Sequence, residues 1–177
     1  MKILQRSPIY SQPDRDQVYS PAEDSFLLLK AAKQEIHPAD RVLEVGVGSG
    51  YIASHLPPCR QVIGTDCNPH AVRVSQATGI SVIRTDLAVG IRGPFDLILF
   101  NPPYLPTSPE DKIDDWLEYA LDGGITGRDV IERFLKEVPP LLSVRGRVLL
   151  LISSLTGLEE TKMMIRETGW DCRVTAQ

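Results

Sequence analysis

The chain has 177 residues, of which 42% are hydrophobic and 24% are charged, with a formal net charge of −4. This is the composition of a globular domain large enough to bury a core, and its acidic balance argues against a non-specific nucleic-acid surface, which needs clustered Lys and Arg. No apolar run is long enough to span a membrane, and the apolar stretch at the N-terminus is too short for a signal peptide.

The cysteine pattern points to a reducing compartment. The three cysteines show no C-x-x-C spacing, and the three histidines are scattered along the chain. Such a pattern argues against a disulfide framework and against a structural zinc site. We therefore expect a cytoplasmic protein with a single domain over residues 1–177 and no bound metal.

The first predicted helix follows a polar, Pro-rich stretch that ends near Tyr19. Ser20 is the expected N-cap, with Pro21 at the first helical position and Glu23 three residues after the cap. Apolar residues then recur at helical spacing from Phe26 onward. The sequence predicts an N-terminal segment over residues 1–40 that contains this helix.

From Arg41 onward, short apolar segments alternate with helical ones. Alternation of this length predicts an α/β fold with a mostly parallel, doubly wound, Rossmann-like sheet that carries helices on both faces. The predicted strands cover 41–46, 61–66, 81–86, 95–100, 146–153 and 170–175, and the predicted helices cover 51–56, 69–79, 127–138 and 157–169.

The turn after the first strand is rich in glycine and is preceded by an acid. Gly46 and Gly48 allow a tight turn and close approach of a ligand, although a ligand-free turn stays open. A dinucleotide fingerprint needs a third glycine where this chain has Tyr51. Glu44 would repel a pyrophosphate and attract an ammonium, so a nucleoside ligand with a positive half fits better than NAD.

Two further acids stand at the ends of the next strands. Asp66 lies 20 residues after Gly46, a spacing that suits a carboxylate accepting from both ribose hydroxyls. Asp86 can accept from an exocyclic adenine amine, while the backbone N–H of Leu87 donates to a ring nitrogen. Alternative roles stay open: an N-cap for the helix near Pro69, or a turn residue.

The fourth strand ends in Asn101-Pro102-Pro103-Tyr104. Two prolines terminate a strand, but Asn and Tyr are also suited to recognising a planar amide. The stretches LEVGVGSG, GTD, RTD and FNPPY together resemble class I S-adenosylmethionine-dependent methyltransferases. NPPY is similar to the motif of enzymes that methylate planar nitrogens, namely the HemK-type release-factor glutamine methyltransferases and the adenine-amino DNA methyltransferases.

Two flanking stretches narrow the resemblance. VYSPAEDSFLLL and DGGITGRDVIERFL resemble the compact archaeal and eukaryotic branch of the HemK family, and the resemblance runs from about Val18 through most of the chain. It implies S-adenosylmethionine as cofactor, held by residues in and around the glycine turn and the strand ends. The implied cofactor-binding residues are Tyr19, Ser25, Glu44, Gly46, Gly48, Asp66, Asp86, Leu87 and Asn101.

Some of these roles have local alternatives. Tyr19 and Ser25 match the family's segment over the cofactor, where Thr is commoner than Ser, but aromatic packing and helix-start chemistry are equally open. The glycines at 123–124 and 127 are predicted to shape a mobile flap, with a turn and a helix start as the alternative. The acidic stretch 109–120 is predicted to contact a basic protein substrate.

The NPPY residues are the predicted catalytic group. An amide nitrogen is a poor nucleophile because its lone pair is delocalised into the carbonyl. Asn101 offers a side-chain oxygen and Pro102 a main-chain carbonyl, which Pro103 holds in place, so both N–H groups can be accepted. Tyr104 can lie against the planar group. No general base is needed, because the proton can leave to water after transfer.

The resemblance implies N5-methylation of the glutamine in the Gly-Gly-Gln motif of a class 1 release factor. The alternatives are methylation of adenine in DNA or of protein lysine, a non-catalytic S-adenosylmethionine-binding subunit, and an NAD-dependent oxidoreductase. The compact branch also implies a small zinc-binding activator that adds its sheet to an edge strand as a heterodimer partner. The resemblance also implies a seventh, antiparallel strand, and none is predicted after the sixth one, which would leave a pairing edge open.

Overall fold

The computed structural model describes residues 15–108, 110 and 115–176. Its strands are β1 (Arg41–Val45), β2 (Gln61–Asp66), β3 (Ser81–Arg84), β4 (Phe95–Phe100) and β5 (Leu142–Leu150). Its helices are α1 (Glu23–Glu35), α2 (Tyr51–Ser54), α3 (Pro69–Gln76), α4 (Trp116–Tyr119), α5 (Asp129–Glu137) and α6 (Leu158–Glu167), with 3₁₀ turns at Pro139–Leu141 and Ser154–Thr156.

The strands form one parallel sheet in the order β3-β2-β1-β4-β5. The strand order reverses beside β1, since β2 and β3 lie on one side of it and β4 and β5 on the other. Ligands of open α/β sheets bind beyond the carboxyl ends of the strands at this switch point. The fold thus places the ends of β1 and β4 side by side at the expected binding crevice.

Both faces of the sheet are covered, which confirms the predicted doubly wound α/β fold. Successive residues of a strand point to opposite faces, and β4 shows this directly. Leu97 and Leu99 pack with the apolar side of α1, whereas Ile98 and Phe100 pack with α5. Helices on both faces bury β4 almost completely, so a continuous apolar run suits it.

Helix α1 begins later than predicted. It starts at Glu23 with Ala22 as N-cap, and no side chain caps it, so the predicted start at Ser20 and Pro21 is wrong. The Asp24 carboxylate accepts from the backbone N–H of Ser25 at 2.6 Å and satisfies one of the free donors of the first turn. The Ser20 cap is therefore not needed for that donor.

The predicted sixth strand is not formed. Residues 170–176 carry no strand assignment, and within the described part of the chain the sheet ends at β5. Trp170 packs against the cluster on one face of the sheet and Ala176 against the cluster on the other. Arg173 also pairs with Glu35 at 3.2 Å. Side-chain contacts rather than a backbone ladder hold this segment.

The described residues carry neither a membrane-spanning helix nor a cluster of metal ligands. No helix in that part of the chain is long and apolar enough to cross a membrane. No group of three or more His, Cys, Asp or Glu side chains within it could hold a metal ion. Cys59, Cys67 and Cys172 are free thiols.

Candidate active site

A cavity of about 310 Å³ opens at the carboxyl ends of the strands. It is lined by every residue that the sequence proposed for the site, drawn from the glycine turn, the strand ends, the segment before α1 and the NPPY motif. These residues are Tyr19, Ser25, Glu44, Gly46, Gly48, Asp66, Asp86, Leu87, Asn101, Pro102, Pro103 and Tyr104. The structure thus brings the set together, while the role of each residue stays a prediction.

The glycine turn after β1 needs its glycines for conformation. Gly46 and Gly48 have φ angles of +66° and +52°, a region that residues with a Cβ rarely adopt. Between them, the backbone N–H of Val47 donates to the carbonyl of Thr65 at 2.9 Å, which ties the turn to β2. The turn is therefore fixed in a shape that leaves its backbone facing the cavity.

Glu44 is a buried acid with an unpaired oxygen. Its side chain is 3% exposed, and Oε2 has no hydrogen-bond partner. Burial raises the pKa of Glu44 to about 8; the backbone N–H of Ala53 opposes the shift and the nearby Asp66 adds to it. An orphaned buried carboxyl oxygen is rare and calls for a partner. A cationic ligand in the cavity would supply one.

Asp66 joins the glycine turn to the start of α3. Its Oδ2 accepts from the backbone N–H of Gly48 at 2.8 Å, and its Oδ1 accepts from that of Asn68 at 2.9 Å. Burial raises the pKa of Asp66, and the backbone N–H donors oppose the shift. A carboxylate has about four lone-pair positions, so both oxygens can still accept from a ligand. Asn68, which accepts from His70, provides the N-cap of α3.

The adenine end of the predicted site carries backbone strain. Leu87 has a φ of +46°, which is unfavourable for a residue with a side chain. The buried Thr65 hydroxyl donates to its carbonyl at 2.7 Å and holds this conformation. Beside it, the Asp86 carboxylate accepts from the guanidinium of Arg133 on α5. The two residues predicted to contact adenine, Asp86 and Leu87, are therefore held by other elements than β3, namely by Arg133 on α5 and Thr65 on β2.

Asn101 presents one end of its amide to the protein and leaves the other end unpaired. Its Nδ2 donates to Asp24 Oδ2 at 3.0 Å, whereas Oδ1 is buried and has no partner. The preceding Phe100 carbonyl still accepts from the backbone N–H of Leu151 at 2.9 Å, so the sheet ladder reaches the motif. An unpaired acceptor therefore sits at a rigid strand end on the cavity wall.

Two phenols share the cavity wall with Asp24. Burial raises the pKa of Tyr104 and of Tyr19, and the charge of Asp24 raises both further. Both phenols thus stay protonated at neutral pH. The rings can serve as neutral, largely apolar walls.

The segment predicted to shape a mobile flap packs against the NPPY motif. The backbone N–H of Leu105 donates to the Leu121 carbonyl, and the N–H of Gly123 donates back to the Leu105 carbonyl, each at 2.9 Å. A Cβ built at Gly127, whose φ is +70°, would lie 2.5 Å from the Tyr104 carbonyl oxygen. The glycines therefore permit close packing onto the motif.

Sequence reasoning missed several residues that line the cavity. Asp24 belongs to the VYSPAEDSFLLL stretch, in the first turn of α1, but nothing in the pattern showed that it would meet a residue 77 positions away. Trp116 and Tyr119 form an edge-on pair with ring centroids 5.9 Å apart. They belong to the acidic stretch 109–120, of which residues 109 and 111–114 lie outside the described residues.

Comparison with known proteins decides the family. Residues 2–114 match the family described as "Methyltransferase small domain". The chain belongs to this methyltransferase family. It is therefore a methyltransferase, as the strand-end acids and NPPY predicted, and the NAD-dependent alternative is set aside.

Three relatives show how far the similarity extends. The methyltransferase is 43% identical to a Methanocaldococcus jannaschii protein named "Putative protein N5-glutamine methyltransferase", covering 91% of this chain and 85% of the relative. It is 37% identical to the human protein named methyltransferase HEMK2, covering 86% and 79%. In the solved Mtq2–Trm112 complex of E. cuniculi, described as responsible for methylation of the termination factor eRF1, one chain superposes with a TM-score of 0.74 at 30% identity, covering 89% of this chain and 88% of that one.

Proposed function

We propose that this methyltransferase transfers the methyl group of S-adenosylmethionine to the side-chain nitrogen of the glutamine in the Gly-Gly-Gln motif of a class 1 release factor. The observation that carries the proposal is the buried, unpaired Oδ1 of Asn101 on the cavity wall. An acceptor in that position suits an N–H donor of a planar amide. The name of the relative at 43% identity, a protein N5-glutamine methyltransferase, supports the same substrate class.

The cavity suits S-adenosylmethionine, which when bound supplies an electrophilic methyl group on a sulfonium. Glu44, buried with an unpaired Oε2, would hold the ammonium of the methionine half. Asp66 would accept from the ribose hydroxyls with the lone pairs that its two backbone donors leave free. Asp86 and the strained Leu87 would hold the adenine. If a dinucleotide bound here, its anionic pyrophosphate, rather than a cation, would face the Glu44 carboxyl.

The chain's own residues have to direct a weak nucleophile. The Asn101 oxygen accepts one N–H of the substrate amide, and the Pro102 carbonyl is offered to the other. Pro103 restricts Pro102 to extended backbone, so this second acceptor does not swing away. Two fixed acceptors set the plane of the amide and favour positive charge that develops on its nitrogen.

Tyr104 would form the wall of the site against the planar amide of the substrate. Its ring lines the cavity, and the Leu105 ladder that follows it fixes the backbone. A neutral aromatic face tolerates a cation and excludes water. The substrate nitrogen loses its proton to water after the transfer, so none of the residues has to act as a general base.

The alternatives fit this geometry less well. A lysine ammonium is tetrahedral and has to lose a proton before it can attack, whereas two fixed acceptors suit a planar NH₂ group. Adenine has such a group, but the chain has a net charge of −4, and acids such as Glu118 lie beside the cavity. Carboxylates near the entrance repel DNA phosphates. A protein substrate is therefore preferred to DNA.

We further propose that a small zinc-binding activator pairs with the edge of β3. This strand has four residues and one free edge, with Ile83 46% exposed and Val89, just beyond it, 59% exposed. Free strand edges with apolar neighbours favour addition of a strand from a partner. The Mtq2–Trm112 complex supports a heterodimer of this kind.

We place the protein in the cytoplasm, with one methyltransferase domain over residues 1–177. Residues 1–40, of which 1–14 lie outside the described residues, would form the segment over the cofactor site, and 41–177 would form the Rossmann-like core. The packing of Leu28 and Leu29 from α1 onto the sheet supports this division. The three free thiols agree with a reducing compartment.

Site-resolved mass spectrometry tests the proposal. A class 1 release factor, a lysine-rich protein and duplex DNA are each incubated with the enzyme and methyl-labelled S-adenosylmethionine, with and without a co-expressed activator. A release factor with Asn in place of the motif glutamine serves as the matched control. We expect label on the glutamine alone. Label on lysine or on adenine, or on none of the three, would refute the proposed substrate.

A further inference from the structure

We infer that Asp24 is a positioning residue that decides which end of the Asn101 side chain faces the substrate. The inference rests on the proposed function in one respect, which is that Asn101 serves as an acceptor for a substrate N–H. It concerns a residue pair that lies 77 positions apart in the sequence and meets only in the fold.

An asparagine cannot serve as an acceptor without being oriented. Its side chain ends in a carbonyl oxygen and an NH₂ group of nearly the same shape, and a half-turn about the last bond exchanges them. If Nδ2 of Asn101 faced the cavity, it would repel the N–H of a substrate amide. The site therefore requires something that distinguishes the two ends.

Asp24 makes this distinction by charge. An ionised carboxylate only accepts hydrogen bonds, so it attracts Nδ2 of Asn101 and repels Oδ1. The observed contact joins Asn101 Nδ2 to Asp24 Oδ2 at 3.0 Å and leaves the Asn101 oxygen without a partner in a buried position. The contact of Nδ2 with the carboxylate therefore accounts for the unpaired oxygen at the other end of the Asn101 side chain.

Asp24 is itself held in place. Its Oδ1 accepts from the backbone N–H of Ser25 at 2.6 Å and from the Ser25 hydroxyl at 3.2 Å. It also lies in the first turn of the 13-residue helix α1, where the helix dipole favours a negative charge. One carboxylate oxygen is thus tied to α1, and the other contacts Asn101.

The same geometry argues against a direct chemical role for Asp24. Its carboxylate contacts the Nδ2 end of Asn101, and the substrate would bind at the Oδ1 end. The other groups near it are the phenols of Tyr19 and Tyr104, whose pKa values it raises. Asp24 therefore acts through Asn101 rather than on the reacting nitrogen.

A substitution that keeps the shape and changes one atom tests the inference. In Asp24→Asn, the two Ser25 donors keep the remaining oxygen on their side, so the new NH₂ group faces Asn101 and favours the flipped amide. We expect kcat to fall about 100-fold, the effect typical of a misplaced reacting group, with Kd for S-adenosylmethionine changed less than about threefold. Glu23→Gln is the matched control, because it removes the same charge from an exposed position in the same helical turn; it should leave both values unchanged.

A reciprocal exchange separates orientation from mere structural support. Asn101→Asp alone would place two carboxylates against each other, and we expect it to lose activity. In the double variant Asp24→Asn/Asn101→Asp, the new amide donates to the new carboxylate, whose second oxygen faces the cavity. We expect kcat at least about tenfold above that of Asp24→Asn, since one good hydrogen bond is worth roughly this factor. A double variant no better than the single one would overturn the inference.

Two further readouts keep the inference testable whatever the substrate is. In the ¹H–¹⁵N NMR spectrum of the ligand-free protein, one side-chain N–H of Asn101 should be shifted and protected from exchange, and Asp24→Asn but not Glu23→Gln should abolish this. Unchanged Asn101 signals in Asp24→Asn would refute the orientation even if no glutamine were methylated. Failure of wild type to methylate glutamine, with the NMR result as expected, would count against the proposed function alone.

Discussion

The two ends of the cavity are built in different ways. At the cofactor end, Glu44, Asp66 and Asp86 each lie at or just beyond the carboxyl end of a strand, and their positions come directly from the parallel sheet. At the substrate end, the NPPY motif depends on two distant segments: Asp24 contacts Asn101, and Leu121 and Gly123 bond to Leu105. The first end is encoded locally, and the second is assembled from across the chain.

This difference explains which chemical properties each end has. At the cofactor end Glu44 is buried and Asp66 is partly buried, and burial raises the pKa of both, so a polar or cationic ligand would stabilise their charged forms. At the substrate end the orphaned atom is a neutral amide oxygen, which suits an N–H donor. The two ends should therefore respond differently to substitution: one mainly in cofactor affinity, the other mainly in turnover.

The largest effect is expected at Asn101. In Asn101→Ala the acceptor for the substrate N–H is lost, and removal of one such preorganised group typically costs about 10²–10³ in kcat. Binding of S-adenosylmethionine, measured by calorimetry, should change less than about threefold. A variant that turns over at the wild-type rate, or one that no longer binds the cofactor, would contradict the division between the two ends.

The support of the NPPY motif predicts the next effect. Gly127→Ala places a Cβ 2.5 Å from the Tyr104 carbonyl oxygen, whereas a Cβ at Gly79, which has a φ of +90°, meets nothing within 4 Å. Both substitutions force a residue with a side chain into positive φ, at a cost of about 1–2 kcal/mol. Only Gly127→Ala should lower the free energy of unfolding further and reduce kcat, as measured by denaturant titration and methyl transfer. Equal behaviour of the two variants would show that the packing does not matter.

The burial of Glu44 should make the stability of the fold depend on pH. Burial raises its pKa from an ordinary value near 4.5 to about 8, so the ligand-free folded state binds a proton that the unfolded state releases. Stability therefore falls as pH rises between these two values, and Glu44→Gln should remove that loss.

Thermal unfolding at pH 5, 6.5 and 8 checks this expectation. The difference between Glu44→Gln and wild type should grow in favour of the variant as pH rises. The same variant should bind S-adenosylmethionine more weakly, because a neutral amide does not pair with an ammonium. A difference in stability that is constant across this pH range would disprove the assignment.

The smallest effect is expected at Arg133. Its ion pair with Asp86 is nearly half exposed, and such pairs contribute about 0–1 kcal/mol. Arg133→Met should raise KM for S-adenosylmethionine by about two- to fivefold, because the carboxylate loses its orienting partner, and should leave kcat almost unchanged. Lys136→Met, which removes a similar exposed pair with Glu132 on the same helix, is the control and should change neither. A larger effect on kcat than on KM would place Arg133 at the substrate end.

The sequence predicted the locally encoded parts of the molecule best. Strand-end acids follow from the alternation of apolar runs and turns, since the carboxyl ends of parallel strands meet at one edge. The prediction of a sixth strand was wrong because side-chain packing at Trp170 and Ala176 overrides the β-strand propensity of residues 170–175. The predicted start of α1 was wrong because Asp24, and not Ser20, accepts from the free backbone N–H of Ser25 in the first turn.

What the sequence could not supply is the pairing of distant segments. Asp24 is an ordinary acid in a helix start until the fold places it 3.0 Å from Asn101. The glycines at 123 and 127 look like a turn in the sequence, and only the contact with Leu105 and Tyr104 gives them a further use. Long-range contacts of this kind have no signature in one sequence.

The most direct test of the account is the methylation state of the motif glutamine, resolved by peptide mass spectrometry, after incubation of a release factor with wild type and with Asn101→Ala. Both proteins should bind S-adenosylmethionine. The account predicts a methyl group on the glutamine nitrogen with wild type and a loss of at least about 100-fold in its rate of formation with the variant. Methylation by the variant at the wild-type rate, or methylation elsewhere than on the glutamine, would contradict it.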